Sequence, residues 1–381
     1  MPATLEPVIR VLRRELTGHP PLRWTLGIRG PDGRLETLGD GPVEATLIVR
    51  DRAGAEALRS MDSLAAGEAY LAGSLDVEGD FARILSLRGI VFRNRHPLLS
   101  LMRFVRPWVL GQVASDRAAI AEHYNEDPAF FTLFLDGRHR AYSQGVYVRD
   151  DEPLEDAITR KLEYAIEAAG IQPGDRVLVI GAGWGAITEF AGRRGIRVTS
   201  LTISDPSRAY VQALIDREQL PCEVRMEHLL EHRPAEPYDA IVNLGVTEHL
   251  PDYAATIHRY QELLRPGGRV YLDASATRHK FRVSAFFERH IFRGNGTPLC
   301  LHDYLAAVAG SRMEVETVLN DRHNYMLTAR AWAENLDRHR EEIEARWSPG
   351  QYRRFRVYLW GCVDGFRRDI IQAYRWVLRK N

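Results

Sequence analysis

The stretch that decides the fold is RVLVIGAGWG, residues Arg176 to Gly185. A short apolar run rich in β-branched residues ends in glycines, and a helical pattern follows directly. Such a turn leaves backbone N–H groups, and little side chain, at the carboxyl edge of a parallel sheet, where these folds bind cofactors. Gly181, Gly183 and Gly185 are spaced as GxGxG and not as the dinucleotide pattern GxGxxG, so the neighbouring segments must decide the cofactor.

From residue 154 onward, predicted helices and strands alternate through short connections. The strands are 176–180, 197–202, 222–225, 240–244 and 269–273, and the helices are 154–169, 186–194, 206–218 and 253–264. This alternation predicts an α/β domain with a doubly wound parallel sheet covered on both faces. Residues 278–322 are predicted to form a helical insertion, 325–332 a further strand, and 350–379 a helical tail.

The N-terminal residues have a different pattern. Residues 22–28 and 45–49 alternate like strands, whereas 53–58 and 67–71 are typical of short helices. We therefore predict a small mixed α+β domain over 1–100 that serves lipid binding or dimerisation. A linker with entrance helices over 101–150 and the main α/β domain over 151–381 would follow.

Composition narrows the class of protein. The chain has 381 residues, 45% of them hydrophobic, and a formal net charge of zero. This balance argues against general nucleic-acid binding, and the absence of a long apolar run or a signal-peptide core favours a cytoplasmic protein. Cys222, Cys300 and Cys362 are scattered, so neither a disulfide framework nor a metal site is predicted.

One segment carries both positive charge and apolar side chains. Residues 92–113, FRNRHPLLSLMRFVRPWVLGQV, interleave four arginines with leucine, methionine, phenylalanine and tryptophan. A basic amphipathic segment of this kind suits a membrane surface. The alternative is a linker helix packed between domains with its arginines in solvent.

The segments after the glycines point to a methyl donor. A dinucleotide enzyme needs an acidic residue at the end of its second strand. The corresponding segment here, VTSLTISDPS at residues 198–207, neither requires nor excludes such a cofactor. Further on, an apolar strand ends at Asn243-Leu244-Gly245, Glu248-His249 follows, and a helix leads to LLRPGG and another strand. This order is typical of a class I S-adenosylmethionine-dependent methyltransferase.

Four further segments resemble the cyclopropane fatty acid synthase and mycolic acid methyltransferase family. Residues 119–147 resemble its entrance segment HYD…FF.LFLD…YSC, and IFRGNGTPL at 291–299 resembles its IFPGG.LP. Tyr325, Thr328 and Trp332 keep its Tyr-x-x-Thr-x-x-x-Trp spacing, and residues 67–80, GEAYLAGSLDVEGD, match its N-terminal part. The resemblance covers nearly the whole chain.

The resemblance implies a set of residues that bind S-adenosylmethionine. These residues are Tyr142, Ser143, Gly181, Gly183, Thr202, Ser207 and Glu227. The tyrosine and the first serine would close over the cofactor, and the glycines would let the backbone approach it. Thr202 and Ser207 would lie near the ribose and adenine, and Glu227 beside the adenine. The alternative for each residue is packing between strand and helix, or a solvated polar group.

The family also implies a catalytic site, from which this chain departs. Its members hold a bicarbonate base with a Cys, a Glu, a His and a Tyr. The Glu corresponds to Glu248 and the Tyr to Tyr325, whereas Gln144 stands at the Cys position and Asp273 at the His position. A second carboxylate near Glu248 would repel bicarbonate and raise one carboxyl pKa.

These departures bear on the product. A pair of carboxylates could stabilise a cation on the lipid and take its proton directly. We therefore expect bicarbonate to be dispensable and the product to be either a methyl- or methylene-branched chain or a cyclopropane. The alternative is that Asp273 faces away and the family's ordinary chemistry persists.

The resemblance therefore implies a lipid methyltransferase. Its expected substrate is an unsaturated fatty acyl chain of a phospholipid, reached by peripheral contact with the inner membrane surface, and family members often form homodimers. Two other readings stay open: a methyltransferase for a soluble natural-product intermediate, and a non-catalytic lipid-binding paralogue.

Overall fold

The computed structural model describes residues 5–91, 111–114, 116–117, 127–280, 284–292 and 296–381. Most of the basic amphipathic segment, the start of the entrance segment and the middle of the IFRGNGTPL motif lie outside these residues. Within the described part, no helix combines the length and the apolar character needed to cross a bilayer.

The described elements, in chain order, are α1 (Glu6–Thr17), β1 (Thr25–Arg29), β2 (Leu35–Leu38), β3 (Val43–Val49), α2 (Arg52–Ser60), α3 (Ser63–Leu71), β4 (Leu75–Gly79), α4 (Phe81–Ser86), α5 (Pro128–Thr132), α6 (Leu154–Ala168), β5 (Arg176–Ile180), α7 (Ala186–Gly192), β6 (Arg197–Thr202), α8 (Asp205–Glu218), β7 (Cys222–Met226), β8 (Tyr238–Leu244), a 3-10 turn (Thr247–His249), α9 (Tyr253–Leu263), β9 (Leu264–Thr277), α10 (Ala285–His290), β10 (Leu299–Cys300), α11 (Leu301–Ala309), β11 (Met313–Asn320), α12 (Arg322–Arg338), α13 (Arg340–Arg346), α14 (Pro349–Arg367) and β12 (Gln372–Lys380).

The chain divides into two compact units. The first comprises Met1–Ser100, Ser284–Ile291 and Leu336–Asp364, and the second comprises Leu101–Val283, Phe292–Asn335 and Gly365–Asn381. The sequence-based division differs, because it placed every residue after 150 in one α/β domain. Two segments from that part of the chain belong instead to the N-terminal unit.

The first unit is built on a four-stranded sheet with the order β2-β1-β3-β4. β1 is parallel to β3, and both outer pairings are antiparallel. Apolar side chains of α1, such as Val8 and Leu12, pack with Leu26 and Leu47 of this sheet in one buried core. The unit is thus a mixed α+β structure with its own core.

The second unit contains a sheet with the order β11-β12-β9-β8-β5-β6-β7, to which β10 adds beside β9. The strands from β9 to β7 in this order are parallel, and β12 runs antiparallel to both β9 and β11. β5 is almost wholly buried, as expected for a central strand covered by helices on both faces. This is the doubly wound sheet that the alternation of strands and helices predicts.

The segment 278–322, predicted as a helical insertion, contains the helices α10 and α11 but also the strands β10 and β11. Two further predictions for the C-terminal part were wrong. Residues 325–332, predicted as a strand, lie within helix α12. Their aromatic and β-branched side chains favour strands, but the spacing of three and four between Tyr325, Thr328 and Trp332 places them on one face of a helix. The predicted helical tail likewise ends at Arg367, and Gln372–Lys380 forms β12, a largely buried strand that lies between β9 and β11 in the sheet.

Candidate functional site

An open cleft of about 1080 Å³ lies at the carboxyl ends of the parallel strands. Its walls are the loops that follow four strands: residues 180–184 after β5, 201–204 after β6, 227–229 after β7 and 244–246 after β8. Ligands bind at this edge in open α/β sheets because the loops and helix N-termini converge there. All seven residues predicted to bind the cofactor line this one cleft.

The glycine loop, Gly181 to Gly185, forms the floor of the cleft. Gly181 has a φ of 81°, and a Cβ atom at this position would overlap Cγ2 of Val246. Gly183 has a φ of 52°, and its Cβ would meet no atom within 4 Å, since this residue faces open space. Backbone conformations with positive φ favour glycine. The loop therefore needs glycine for two reasons, close packing at Gly181 and open backbone at Gly183.

Thr202 and Ser207, which are predicted to lie near the ribose and adenine of the cofactor, also stabilise the loops around the cleft. The Thr202 hydroxyl accepts a hydrogen bond from the Ser204 N–H (3.2 Å), and Ser204 caps the N-terminus of α8. The Ser207 hydroxyl donates to the carbonyl of Gly183 (2.8 Å). Ser207 thus fastens helix α8 to the glycine loop besides lining the cleft.

Glu227 follows β7, and hydrogen bonds from neighbouring side chains hold its carboxylate in place. Its Oε2 accepts a hydrogen bond from Nδ1 of the buried His232 (2.5 Å), and the second ring nitrogen, Nε2, accepts from the hydroxyl of Tyr238 (2.9 Å). Oε1 of Glu227 lies 4.0 Å from the guanidinium of Arg225. The carboxylate is therefore fixed at the rim of the cleft.

Aromatic rings form a continuous wall beside the loop. Trp184 and Tyr142 line the cleft, and each contacts Phe131, with ring centroids 5.3 and 5.4 Å away. Tyr142 also contacts Trp332 (5.4 Å), which in turn contacts Tyr325 (6.2 Å). The indole Nε1 of Trp184 is buried and has no hydrogen-bond partner within the described part of the chain. This wall links the cleft to the predicted catalytic tyrosine.

Glu248 lies in the 3-10 turn between Val246 and His249 of the cleft wall. Its Oε1 accepts hydrogen bonds from the backbone N–H (2.7 Å) and hydroxyl (2.9 Å) of Ser275 in β9. Oε2 is buried without a hydrogen-bond partner among the described residues. Burial raises the pKa of this carboxyl to about 7, against hydrogen bonds that lower it, and the charge of Asp273 adds to the rise.

Asp273 lies two residues before Ser275 on the same strand and is fully buried. It is not a bare second carboxylate: Nζ of Lys161, also fully buried, lies 3.3 Å from its Oδ2. Burial raises the pKa of Asp273, and Lys161 opposes this rise. The motif residues include two carboxylates and no cation, because nothing in the sequence pattern joins residue 161 to residue 273.

Gln144 and Tyr325 meet around the start of α12. The buried Gln144 donates from Nε2 to Oδ2 of Asp321 (3.3 Å), and the N–H of Tyr325 donates to the Asp321 carbonyl (2.9 Å). Oε1 of Gln144 is buried with no partner in the described structure. The Tyr325 ring stacks on Phe366 with 4.7 Å between centroids. A chain of contacts thus joins three of the four predicted catalytic residues, Asp273, Gln144 and Tyr325, through Lys161, Ser143 and Asp321.

Three further residues of the cleft wall, His228, His249 and Asp116, were not among the predicted site residues. Nδ1 of His228 accepts from the N–H of Leu230, so its Nε2 carries the hydrogen and donates to Asp116 (3.2 Å). His249 also lines the cleft, and burial lowers the pKa of its ring. Asp116 is distant in sequence from the strands, and only folding brings it to them.

The cysteines are free thiols. Cys300, however, lies with His302 and Asp303 so that one donor atom from each falls within 4.8 Å of the others. The thiol already lies within hydrogen-bonding distance of His302 and of the Arg278 carbonyl oxygen. These local contacts account for the cluster, which lies outside the cleft.

Comparison with known proteins agrees with this architecture. The sequence model of the family described as mycolic acid cyclopropane synthetase matches residues 112–376. A probable fatty acid methyltransferase of Mycobacterium tuberculosis is 27% identical over 402 residues, covering 96% of this chain and 92% of that protein. The cyclopropane mycolic acid synthase MmaA2 of the same organism is 30% identical over 282 residues, covering 68% of this chain and 96% of that protein.

Solved structures extend the comparison to the cofactor. The crystal structure of the mycolic acid cyclopropane synthase CmaA1, complexed with SAH and CTAB, superposes with a TM-score of 0.64 at 26% identity, covering 69% of this chain and 98% of that one. SAH is the product form of the methyl donor. The chain therefore belongs to the mycolic acid cyclopropane synthetase family and is an S-adenosylmethionine-dependent methyltransferase.

Proposed function

We propose that this chain transfers a methyl group to a double-bond carbon of an unsaturated fatty acyl chain carried by a membrane phospholipid. The observation that carries this proposal is the carboxyl group of Glu248. It is held beside the cleft by Ser275, its pKa is raised to about 7, and its Oε2 has no partner among the described residues. A base whose pKa is near the working pH is both available and able to take a proton.

The cleft fits S-adenosylmethionine. Gly183 leaves open space where a side chain would stand, and Trp184 offers a buried, unpartnered N–H within the described wall. Tyr142, Ser143, Gly181, Gly183, Thr202, Ser207 and Glu227 would hold the cofactor. When bound, it supplies an electrophilic methyl group on a sulfonium.

The reaction can be balanced with the groups present. The π electrons of the alkene form the new carbon–carbon bond, the sulfur–methyl bond breaks, and a positive charge develops on the other alkene carbon. In this proposal Glu248 accepts the proton that then leaves. A proton lost from the new methyl group closes a cyclopropane, and one lost from a neighbouring carbon leaves a methyl-branched alkene. Of the aromatic residues Tyr142, Trp332 and Tyr325, Tyr142 lines the cleft, where an aromatic ring would favour a cation.

We further propose that this chemistry needs no bicarbonate. An anion requires a cation or donors to hold it, and the buried cation nearest Asp273 is already paired with that carboxylate. Gln144 likewise directs one amide N–H to Asp321. The ammonium of Lys161 and this amide N–H of Gln144 are therefore already engaged by side chains of the protein.

Access to a phospholipid requires contact with a membrane. The basic amphipathic segment 92–113 is the part of the sequence suited to this contact, because arginines attract lipid phosphates while its apolar side chains enter the interface. We propose peripheral binding at the inner membrane surface. Homodimer formation stays a prediction.

The test is turnover on defined vesicles. The protein would be incubated with S-adenosylmethionine and phosphatidylglycerol vesicles bearing monounsaturated chains, in buffers with and without bicarbonate, and the lipids analysed by mass spectrometry and NMR. We expect methylated or cyclopropanated chains in both buffers from the wild type, and about 10²- to 10⁴-fold less from Glu248→Gln.

Other outcomes would each contradict a part of the proposal. A cyclopropane formed only with added bicarbonate would show that Gln144 and Asp273 do not replace the anion. Tight SAH binding without turnover on any lipid would indicate a non-catalytic paralogue. Turnover on a soluble substrate, with no binding to vesicles, would indicate a natural-product methyltransferase.

A further inference from the structure

A single buried cation connects the cofactor cleft with strand β9. Lys161 lies in α6, and its side chain is wholly inaccessible to solvent. Its Nζ donates a 2.6 Å hydrogen bond to the hydroxyl of Ser143, which lines the cleft, and lies 3.3 Å from Oδ2 of Asp273. Three separate elements, α6, the segment after α5 and β9, therefore converge on one ammonium group.

The choice of lysine at this position is informative. The chain has three lysines among its 51 basic residues. The other two, Lys280 and Lys380, donate to backbone carbonyls, whereas Lys161 contacts two side chains. An ammonium is a compact point charge that can reach a hydroxyl and a carboxylate on different elements, whereas a guanidinium is a larger planar fork.

Burying such a charge costs several kcal/mol unless its partners are well placed. The other charged or titratable groups that face Asp273 or its neighbours are Tyr271 on β9, Asp321 before α12, Arg375 on β12 and Glu248 in the 3-10 turn. Arg375 is paired with Asp321 at 3.3 Å. Lys161 is thus the cation that balances Asp273, and Ser143 is its second partner.

We propose that Lys161 is a positioning residue, which fixes the Ser143 hydroxyl on the cleft wall and holds Asp273 beside the catalytic carboxyl of Glu248. It would act through these two side chains without touching the substrate. The role of Asp273 rests on the proposed function, whereas the role of Ser143 concerns cofactor binding alone. An experiment can therefore contradict the role of Asp273 without contradicting that of Ser143.

Binding of SAH, measured by calorimetry, tests the link without any lipid. We expect Ser143→Ala to weaken SAH binding roughly fivefold, about the value of one hydrogen bond. Lys161→Met should weaken it at least as much, and the combined Ser143→Ala/Lys161→Met variant little further, because both changes break the same contact.

Lys161→Met leaves Asp273 buried and unpaired, so the variant can fail to fold. The double variant Lys161→Met/Asp273→Asn removes both charges and should recover most of the melting temperature. We expect its SAH affinity to remain weak, because Ser143 still lacks its donor. A merely structural lysine would give the opposite result, with stability and affinity recovering together, and that result would overturn the proposal.

Lys380→Met is the matched control, because it removes a lysine with two backbone hydrogen bonds, to Gln261 and Leu264, outside the cleft. It should lower stability and leave SAH affinity unchanged. Turnover on vesicles would be followed in parallel: Lys161→Met/Asp273→Asn should raise the KM for S-adenosylmethionine and lower kcat. If the wild type shows no turnover on vesicles, the proposed function fails while the SAH measurements still decide the role of Lys161.

Discussion

Nζ of Lys161 and Oδ2 of Asp273 lie 3.3 Å apart, and neither side chain is exposed to solvent. An aspartate at a position where the family has histidine adds a negative charge to a buried site. The ion pair balances this charge inside the fold. The departure at residue 273 is therefore compatible with a stable protein, and its consequences can be measured in stability as well as in activity.

Asp273→Asn should destabilise the protein strongly. The variant leaves the ammonium of Lys161 buried without a counter-charge, and breaking one side of a buried pair costs about 3–5 kcal/mol. Thermal melting at neutral pH should show a clear loss for Asp273→Asn. A melting temperature equal to that of the wild type would mean that the two side chains are not paired.

Glu248→Gln should abolish most turnover while SAH still binds. Loss of a general base costs about 10²- to 10⁴-fold in rate. Glutamine keeps an oxygen that can accept from Ser275, so the turn should stay in place. The rate of the wild type should rise with pH through about 7, as the carboxyl loses its proton. A rate that is independent of pH between 5.5 and 8.5 would argue against Glu248 as the base.

The same substitution should increase stability at higher pH. The pKa of Glu248 is about 7 in the folded protein and 4.5 ordinarily, so folding disfavours the charged form. The free energy of unfolding of the wild type therefore loses a contribution as pH rises from about 4.5 to about 7. Glutamine does not ionise, so the free energy of unfolding of Glu248→Gln should rise relative to that of the wild type across this window, by an amount on the order of 3 kcal/mol. Parallel melting curves at pH 5 and pH 8 would check the sign.

The glycine loop offers a test with an internal control. Gly183→Ala and Gly195→Ala both place a side chain at positive φ with no atom within 4 Å, so each should cost about 1 kcal/mol in backbone strain. Only Gly183 faces the cleft, and its alanine variant should lose SAH affinity at least tenfold while Gly195→Ala binds normally. Equal affinities would place the cofactor elsewhere.

Gly181→Ala should have the larger effect of the two cleft glycines on folding. Its Cβ would overlap Cγ2 of Val246 in addition to the backbone strain. Val246→Ala removes that overlap and should restore part of the melting temperature in the double variant. If the double variant loses as much melting temperature as the two single variants together, packing against Val246 is not the cause.

The parts of the fold that follow from local signals were predictable from the sequence. The bounds of β5 and β6 agree with the prediction because glycines flank β5, and β6 lies between Gly195 and the helix-starting sequence Ser204-Asp205-Pro206. The strand predicted at 325–332 failed because side-chain type favoured a strand while the spacing favoured a helix. β12 was missed because QAYRWVLRK needs the edge of β9 to become a strand, a partner about 100 residues away.

The candidate site shows the same limit. Residues carried by motifs, such as Gly183 and Glu227, reach one cleft as expected. Lys161 and Asp116 belong to no motif, and their partners lie 18 to 112 residues away in sequence. Only tertiary structure brings such groups together, so charge balance in a buried site cannot be worked out from motif residues alone.

Restoring the family pattern tests what residues 144 and 273 decide. In Gln144→Cys/Asp273→His, the ammonium of Lys161 no longer has a carboxylate beside it, and a bound anion becomes a favourable partner. We expect turnover of this double variant on vesicles with unsaturated chains to depend on bicarbonate. Cyclopropane should form a larger share of its products than of the wild-type products. Turnover of the wild type should not depend on bicarbonate. Adding Lys161→Met should remove the dependence, since the cation that would hold the anion is gone. A double variant that works equally well without bicarbonate would show that the anion site requires more than these two side chains.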